Sequence, residues 1–199
     1  LFPIMVELQN KKVVVVGGGR VAYHKIKNLL RFNVHVHVVS PEFHNGILEL
    51  ANQKKVTLYQ KEVEYEDYQD AFLVITVTDS RSVNEKVAKT ANHLVVNAEN
   101  PELGNSIVPA TLMRGKLMIS ISTGGASPTL AKQLRNQLAD QFDDSYESYL
   151  DFLYEVRSLV KSKSLHADTR KRLLQEVVQP IYLESFEERE TFLRKLEDY

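Results

Sequence analysis

The chain has 199 residues, 43% hydrophobic and 26% charged, with a formal net charge of −1 and no cysteine. That apolar content supports one or two packed domains and argues against wholesale disorder. The balanced charge offers no basic stripe for nucleic acid, and the lack of thiols excludes disulfides, thiolate zinc sites and thiolate-held iron–sulfur clusters.

The first predicted element is a strand at Val13–Val16, a β-branched run that fits a strand covered on both faces. It runs into Gly17-Gly18-Gly19, and a helix follows with Val21, Ile26, Leu29 and Leu30 on its apolar side. A second strand covers Val34–Val39, a helix is centred on Ile47, Leu48 and Ala51, and a third strand covers Val56–Tyr59. Phe72–Val77 reads as a fourth strand. Asp79 or Ser80 then caps a helix with Val83, Val87, Ala88 and Ala91 inward, and Leu94–Val96 is the fifth strand. Strand–helix alternation of this kind predicts a Rossmann-type α/β fold, a doubly wound parallel sheet, over residues 1–110.

Beyond Pro109 the pattern changes. Leu117–Ser122 reads as a lone strand, Thr123–Pro128 as a turn, and a helix opens with Ser127 as N-cap and Pro128 in its first turn. Leu130, Leu134 and Leu138 line one side of that helix. One strand and one helix bury little surface alone, so residues 111–143 are expected to form a small α+β segment that pairs with a second copy, making a homodimer. Residues 144–199 are expected to form a helical domain broken near Gln179-Pro180, with Tyr146, Tyr149, Phe152 and Tyr154 as a core or interface stripe. No apolar run approaches the roughly 20 residues that span a bilayer. Leu1–Val6 lacks the basic region and apolar core of a secretion signal, so the expected location is the cytoplasm, with no membrane and no nucleic-acid partner.

The chemistry is concentrated at two glycine turns. Gly17, Gly19 and Ala22 take the positions of a dinucleotide-binding fingerprint: one glycine for the tight turn, one for close approach of a pyrophosphate, and a small residue for helix–strand packing. Gly17, Gly18, Gly19, Arg20, Val21 and Ala22 are therefore candidate cofactor residues, with the anion at the helix N-terminus. The second strand ends in Ser40-Pro41-Glu42, where Ser40 and Glu42 reach toward a ribose. No arginine stands there for a 2′-phosphate, which favours NAD over NADP. Thr78 and Asp79, at the end of the fourth strand, are further cofactor candidates, with helix capping as the competing role for Asp79. The second turn brings Ser122, Thr123, Gly124, Gly125 and Ser127 together, and its backbone N–H groups are expected to form a nest for a polycarboxylate substrate. His35 and His37 alternate on one strand face, but they are expected to be ordinary strand residues rather than metal ligands, and no metal site is expected.

Several stretches together carry a family likeness. Phe2-Pro3-Ile4, Val14–Ala22 with Lys25, Val39-Ser40-Pro41, Thr76–Asp79 with Asn84, Val96-Asn97 and Ser122–Pro128 resemble the precorrin-2 dehydrogenase family of siroheme biosynthesis. The resemblance covers most of residues 2–140. It implies NAD-dependent oxidation of precorrin-2 to sirohydrochlorin, a tetrapyrrole substrate near the second glycine turn, and a dimer formed through the middle segment. Some members of that family also insert ferrous iron. The family commonly carries a catalytic aspartate soon after the Asn97 position, whereas this chain reads Asn97-Ala98-Glu99-Asn100-Pro101. Asn100 or Glu99 takes its place according to the direction of alignment. Because an asparagine accepts no proton, a dehydrogenase with weak or absent chelatase activity is expected. The alternatives are a bifunctional dehydrogenase–ferrochelatase and, in a different class, an NAD-binding regulatory module.

Overall fold

Val13, Val14, Val15 and Val16 are all buried in strand β1 (Lys12–Val16), because the sheet around it is covered on both faces. Each such valine stabilises the fold by about 1.5 kcal/mol or more relative to an exposed one. The computed structural model describes residues 1–197 and 199 and divides into two units, Leu1–Val108 and Pro109–Tyr199.

In the first unit β1 leads to α1 (Arg20–Leu29), β2 (His35–Val39), α2 (Asn45–Asn52) and β3 (Val56–Tyr59). The short α3 (Tyr65–Tyr68), β4 (Leu73–Thr76), α4 (Arg81–Thr90) and β5 (Leu94–Asn97) complete it. The five strands are parallel in the order β3-β2-β1-β4-β5, so the chain crosses over between β1 and β4. Val13, Val15, Val38 and Ile75 pack on one side with Ala22 and Ile26 of α1 and Ile47 of α2. Val14, Val16 and Val74 pack on the other with Tyr68 and with Val87 of α4. The helix faces differ from the expected ones in detail. Val21 and Leu48 are exposed, while Ala22 is fully buried. Ser80, not Asp79, caps α4 by accepting the Val83 N–H.

The second unit opens with an antiparallel hairpin, β6 (Ala110–Arg114) and β7 (Leu117–Ile121), where the sequence predicts one strand. Gly115 turns the hairpin at a left-handed φ of +53°. Helix α5 (Pro128–Gln141) starts at Ser127, whose Oγ accepts the Leu130 N–H. Its leucine stripe does not face the core of its own unit: Leu130 is 46% and Leu134 37% exposed, and the residue α5 buries is Ala131.

Helices α6 (Ser145–Ser162), α7 (Ala167–Glu176), α8 (Pro180–Glu184) and α9 (Phe186–Glu197) share a core that includes Phe152, Val156, Leu173, Phe192 and Leu196. Of the expected aromatic stripe, Tyr149 and Phe152 are buried, Tyr146 packs at the margin and Tyr154 is exposed. Burial pushes the Tyr149 phenol pKa up, and its hydroxyl donates to the Val177 carbonyl. The buried Arg189 donates to the Tyr182 and Leu183 carbonyls and to Ser148 Oγ, which accounts for a guanidinium inside the bundle without a carboxylate partner among the described residues. No helix among the described residues is long and apolar enough to cross a membrane.

Candidate functional site at the carboxyl ends of the parallel strands

The crossover between β1 and β4 opens a crevice at the carboxyl ends of the strands, where ligands of such sheets bind. A cleft of about 940 Å³ lies there. Its floor is the first glycine turn, and its three glycines stand in different surroundings. Gly17 has a φ of +119°, and a Cβ on it would lie 2.5 Å from the Val77 carbonyl oxygen. Gly18 is crossed by the loop after β2: a Cβ would fall 2.0 Å from the Glu42 carbonyl oxygen, and the Gly18 carbonyl accepts the His44 N–H at 2.7 Å. Above Gly19, by contrast, a Cβ would meet nothing within 4 Å.

Gly19 is the N-cap of α1, no side chain among the described residues caps that end, and no acidic residue stands in its first turn. The N-terminal N–H groups and the positive end of the helix dipole therefore face an opening that a side chain would fill. These features fit the pyrophosphate of a dinucleotide.

Nine of the ten expected cofactor residues line this cleft: Gly17, Gly18, Gly19, Arg20, Val21, Ser40, Pro41, Thr78 and Asp79. The tenth, Ala22, lies in the core between α1 and the sheet, where its small side chain sets the helix–strand distance. Glu42 joins the wall beside Ser40. Sequence reasoning missed Phe43, His44, Val77 and Ala98 as wall residues. They sit in loops, where no periodicity marks the direction of a side chain. Their adjacency to Ser40–Glu42, Thr78 and Glu99 was the one available signal.

The loop after β5 separates the two candidates for the catalytic position. Asn97 Oδ1 accepts the backbone N–H groups of both Glu99, at 3.1 Å, and Asn100, at 2.9 Å. From that anchor Glu99 goes to the cleft wall. Asn100 turns away, and its Oδ1 caps the short 3₁₀ turn Pro101–Leu103 by accepting the Glu102 N–H.

The second glycine turn belongs to the second unit. Gly124 and Gly125 hold left-handed φ values of +62° and +92° with open space around both. The expected backbone nest is partly taken up internally. The Gly124 N–H donates to Ser122 Oγ, the Ala126 N–H to the Thr123 carbonyl and the Ser127 N–H to Thr123 Oγ1. Each hydroxyl that accepts in this way keeps its own proton to donate outward. The hydroxyls of Ser122 and Thr123 therefore add to the donors this turn can offer an anion.

His35 and His37 lie on one face of β2. His37 is half-buried, stacks on Tyr59 and sits 3.2 Å from its hydroxyl. Burial, reinforced by Lys12, lowers the His37 pKa. The described residues contain no group of three His, Cys, Asp or Glu side chains that would hold a metal.

A family described as NAD(P)-binding matches residues 4–110, the sirohaem biosynthesis protein central family matches 114–141, and the SirC C-terminal domain matches 146–192. The precorrin-2 dehydrogenase of Priestia megaterium is 33% identical over 201 residues, covering 100% of both chains. The chain belongs to the precorrin-2 dehydrogenase family. A second member, from Bacillus subtilis (strain 168), is 32% identical over 79% of this chain and 98% of its own. The solved structure of "SirC, precorrin-2 dehydrogenase" superposes with a TM-score of 0.87 at 34% identity, covering 100% of both chains. The fold agrees with that family throughout, and the site carries a nicotinamide-cofactor domain as expected.

Proposed function

We propose that this chain oxidises precorrin-2 to sirohydrochlorin in siroheme synthesis, with NAD as hydride acceptor. The observation that carries the proposal is the glycine floor of the cleft, closed over Gly17 and Gly18 and open above Gly19, in a chain whose whole length follows one dehydrogenase family. The reaction removes a hydride and a proton from the macrocycle, and bound NAD supplies the acceptor for the hydride. The chain's residues do the rest. The α1 N-terminus and Arg20 would hold the pyrophosphate, Ser40 and Glu42 would meet the adenosine ribose, and Thr78 and Asp79 would bound the nicotinamide end. Glu42 at the ribose position opposes a 2′-phosphate by charge, which supports NAD over NADP.

Glu99, on the wall at the end of β5, accepts the proton, while Asn100 serves the loop. Ser122, Thr123, Gly124, Gly125 and Ser127 receive substrate carboxylates, with hydroxyl donors contributing. Residues 111–143 form the homodimer contact, supported by the outward Leu130 and Leu134 and by a two-stranded sheet too small to stand alone. Residues 1–110 and 144–199 serve as the cofactor domain and the helical domain. The reaction draws on NAD, which supports a cytoplasmic location.

The test is NADH formation from anaerobic precorrin-2 and NAD with the visible spectrum recorded alongside. NADH appearing with the sirohydrochlorin spectrum is the expected result, and cofactor binding without turnover contradicts the assignment. Ferrous iron added to purified sirohydrochlorin without NAD is expected to insert at close to the uncatalysed rate. Fast insertion would establish the bifunctional alternative.

A further inference from the structure

Asn84 lies on α4 and is fully buried, a place where an amide is costly unless all its hydrogen-bonding capacity is used. Here it is used in full, and by two different loops. Asn84 Nδ2 donates to the Thr78 carbonyl at 2.8 Å and to Glu99 Oε2 at 3.0 Å. Asn84 Oδ1 accepts from the Thr78 N–H at 3.3 Å and from the Thr78 hydroxyl at 2.8 Å. The orientation of the amide follows from its partners. A backbone N–H can only donate and a backbone carbonyl can only accept, so Oδ1 must face the first and Nδ2 the second. One buried side chain thus joins the cleft wall after β4 to the acid after β5.

Glu99 is gripped twice. Asn97 Oδ1 holds its backbone N–H, and Asn84 holds one carboxylate oxygen. Glu99 Oε1 has no hydrogen-bond partner among the described residues, so the grip on Oε2 leaves one oxygen free at the wall. A fully exposed glutamate would sample many rotamers, and fixing one before the substrate arrives removes that cost from the reacting complex.

We propose that Asn84 is a positioning residue for the dehydrogenation: its amide fixes the Glu99 carboxylate and the Thr78 loop in one register at the cleft. This rests on the reading of Glu99 as the proton acceptor, and the two claims can fail separately. Asn84→Asp keeps the shape and the acceptor facing the Thr78 N–H but sets an oxygen against both the Thr78 carbonyl and Glu99 Oε2, so like charges oppose where a donor stood. Asn84→Ala removes the grip altogether.

The experiment measures kcat, KM and the pH profile of precorrin-2 oxidation for Glu99→Gln, Asn84→Asp, Asn84→Ala and each Asn84 change combined with Glu99→Gln. Thermal unfolding is followed on every variant. The expected result has Glu99→Gln slow and Asn84→Asp at least about tenfold down in kcat, with its acidic limb moved to higher pH. The Asn84 changes should add little further loss once Glu99 is Gln, because they act through it. Should Asn84→Ala fail to fold, the isosteric Asn84→Asp carries the test. Full activity in Glu99→Gln would overturn the reading of Glu99 and this proposal with it. A slow Glu99→Gln beside an Asn84→Asp with unchanged kcat and pH profile, or with losses that multiply those of Glu99→Gln, would overturn the proposal and leave Glu99 in place.

Discussion

The two glycine turns solve opposite problems. Around Gly17 and Gly18 the chain's own backbone closes in, so the glycines make room for protein. Around Gly124 and Gly125 there is open space, so those glycines supply only left-handed backbone. The first turn is thus a part-finished binding surface whose single gap lies above Gly19. The second is a loop held by its own hydroxyls, with its outer side bare. A glycine run can therefore mean closure or access, according to what packs around it.

Substitutions can break or sharpen that contrast. The largest effect belongs to Gly18→Ala, whose Cβ would collide with the Glu42 carbonyl. A destabilisation of about 3 kcal/mol is expected together with loss of NAD binding, measured by thermal unfolding and calorimetric titration. Gly19→Ala sits next in the chain and should behave differently. Its methyl enters the cleft, so unfolding should be nearly unchanged while NAD affinity drops about tenfold or more, a cost of about 1.4 kcal/mol. Equal losses of stability at the two positions would contradict the open-face account.

In the second turn, Gly124→Ala and Gly125→Ala are each expected to cost about 1–2 kcal/mol through backbone handedness alone. NAD affinity should stay as in the parent, and KM for precorrin-2 should rise. Ser127→Ala should cost about 1 kcal/mol by removing the cap of α5, with KM for precorrin-2 raised and NAD affinity unchanged.

The smallest effect is one of pH. His37, near Lys12, Asp70 and His35, and His93, near Asp70, both have pKa values lowered from 6.5 chiefly by burial. The unfolded chain then binds more protons than the folded one, so this stabilisation is present above pH 6.5 and is lost as pH falls below it. Thermal unfolding of the first unit should come slightly earlier at mildly acidic pH, and His37→Gln with His93→Gln should flatten the dependence.

What the sequence made legible follows from the range of the forces involved. The valines of β1, the glycine turn and the Ser127 cap are local signals, and each stands where its own neighbours dictate. Strand β6 was hidden because Ala110–Arg114 alternates too weakly to be read without β7 beside it. The leucines of α5 kept a helical period but not the direction in which they point, because an amphipathic stripe shows that a face is apolar and not what covers it. Asn84 is visible in the sequence only as part of the family likeness, with no role attached. Only the arrival of Glu99 and Thr78 from two other segments gives it a role. The different places of Glu99 and Asn100 likewise depend on Asn97, whose side chain holds both backbone N–H groups while Asn100 goes into a cap.

The strand order also has a consequence in time. Val13 pairs with Val36 on one side and with Leu73 on the other, and Asn97 closes the sheet beyond Thr76. On the ribosome the most apolar segment of the chain is therefore made early and left half-dressed until β4 emerges. The carboxylate that faces the cleft arrives later still. Synthesis that stalls between β3 and β4 would release a chain with a bare valine strand and no cleft, open to pairing with its own kind.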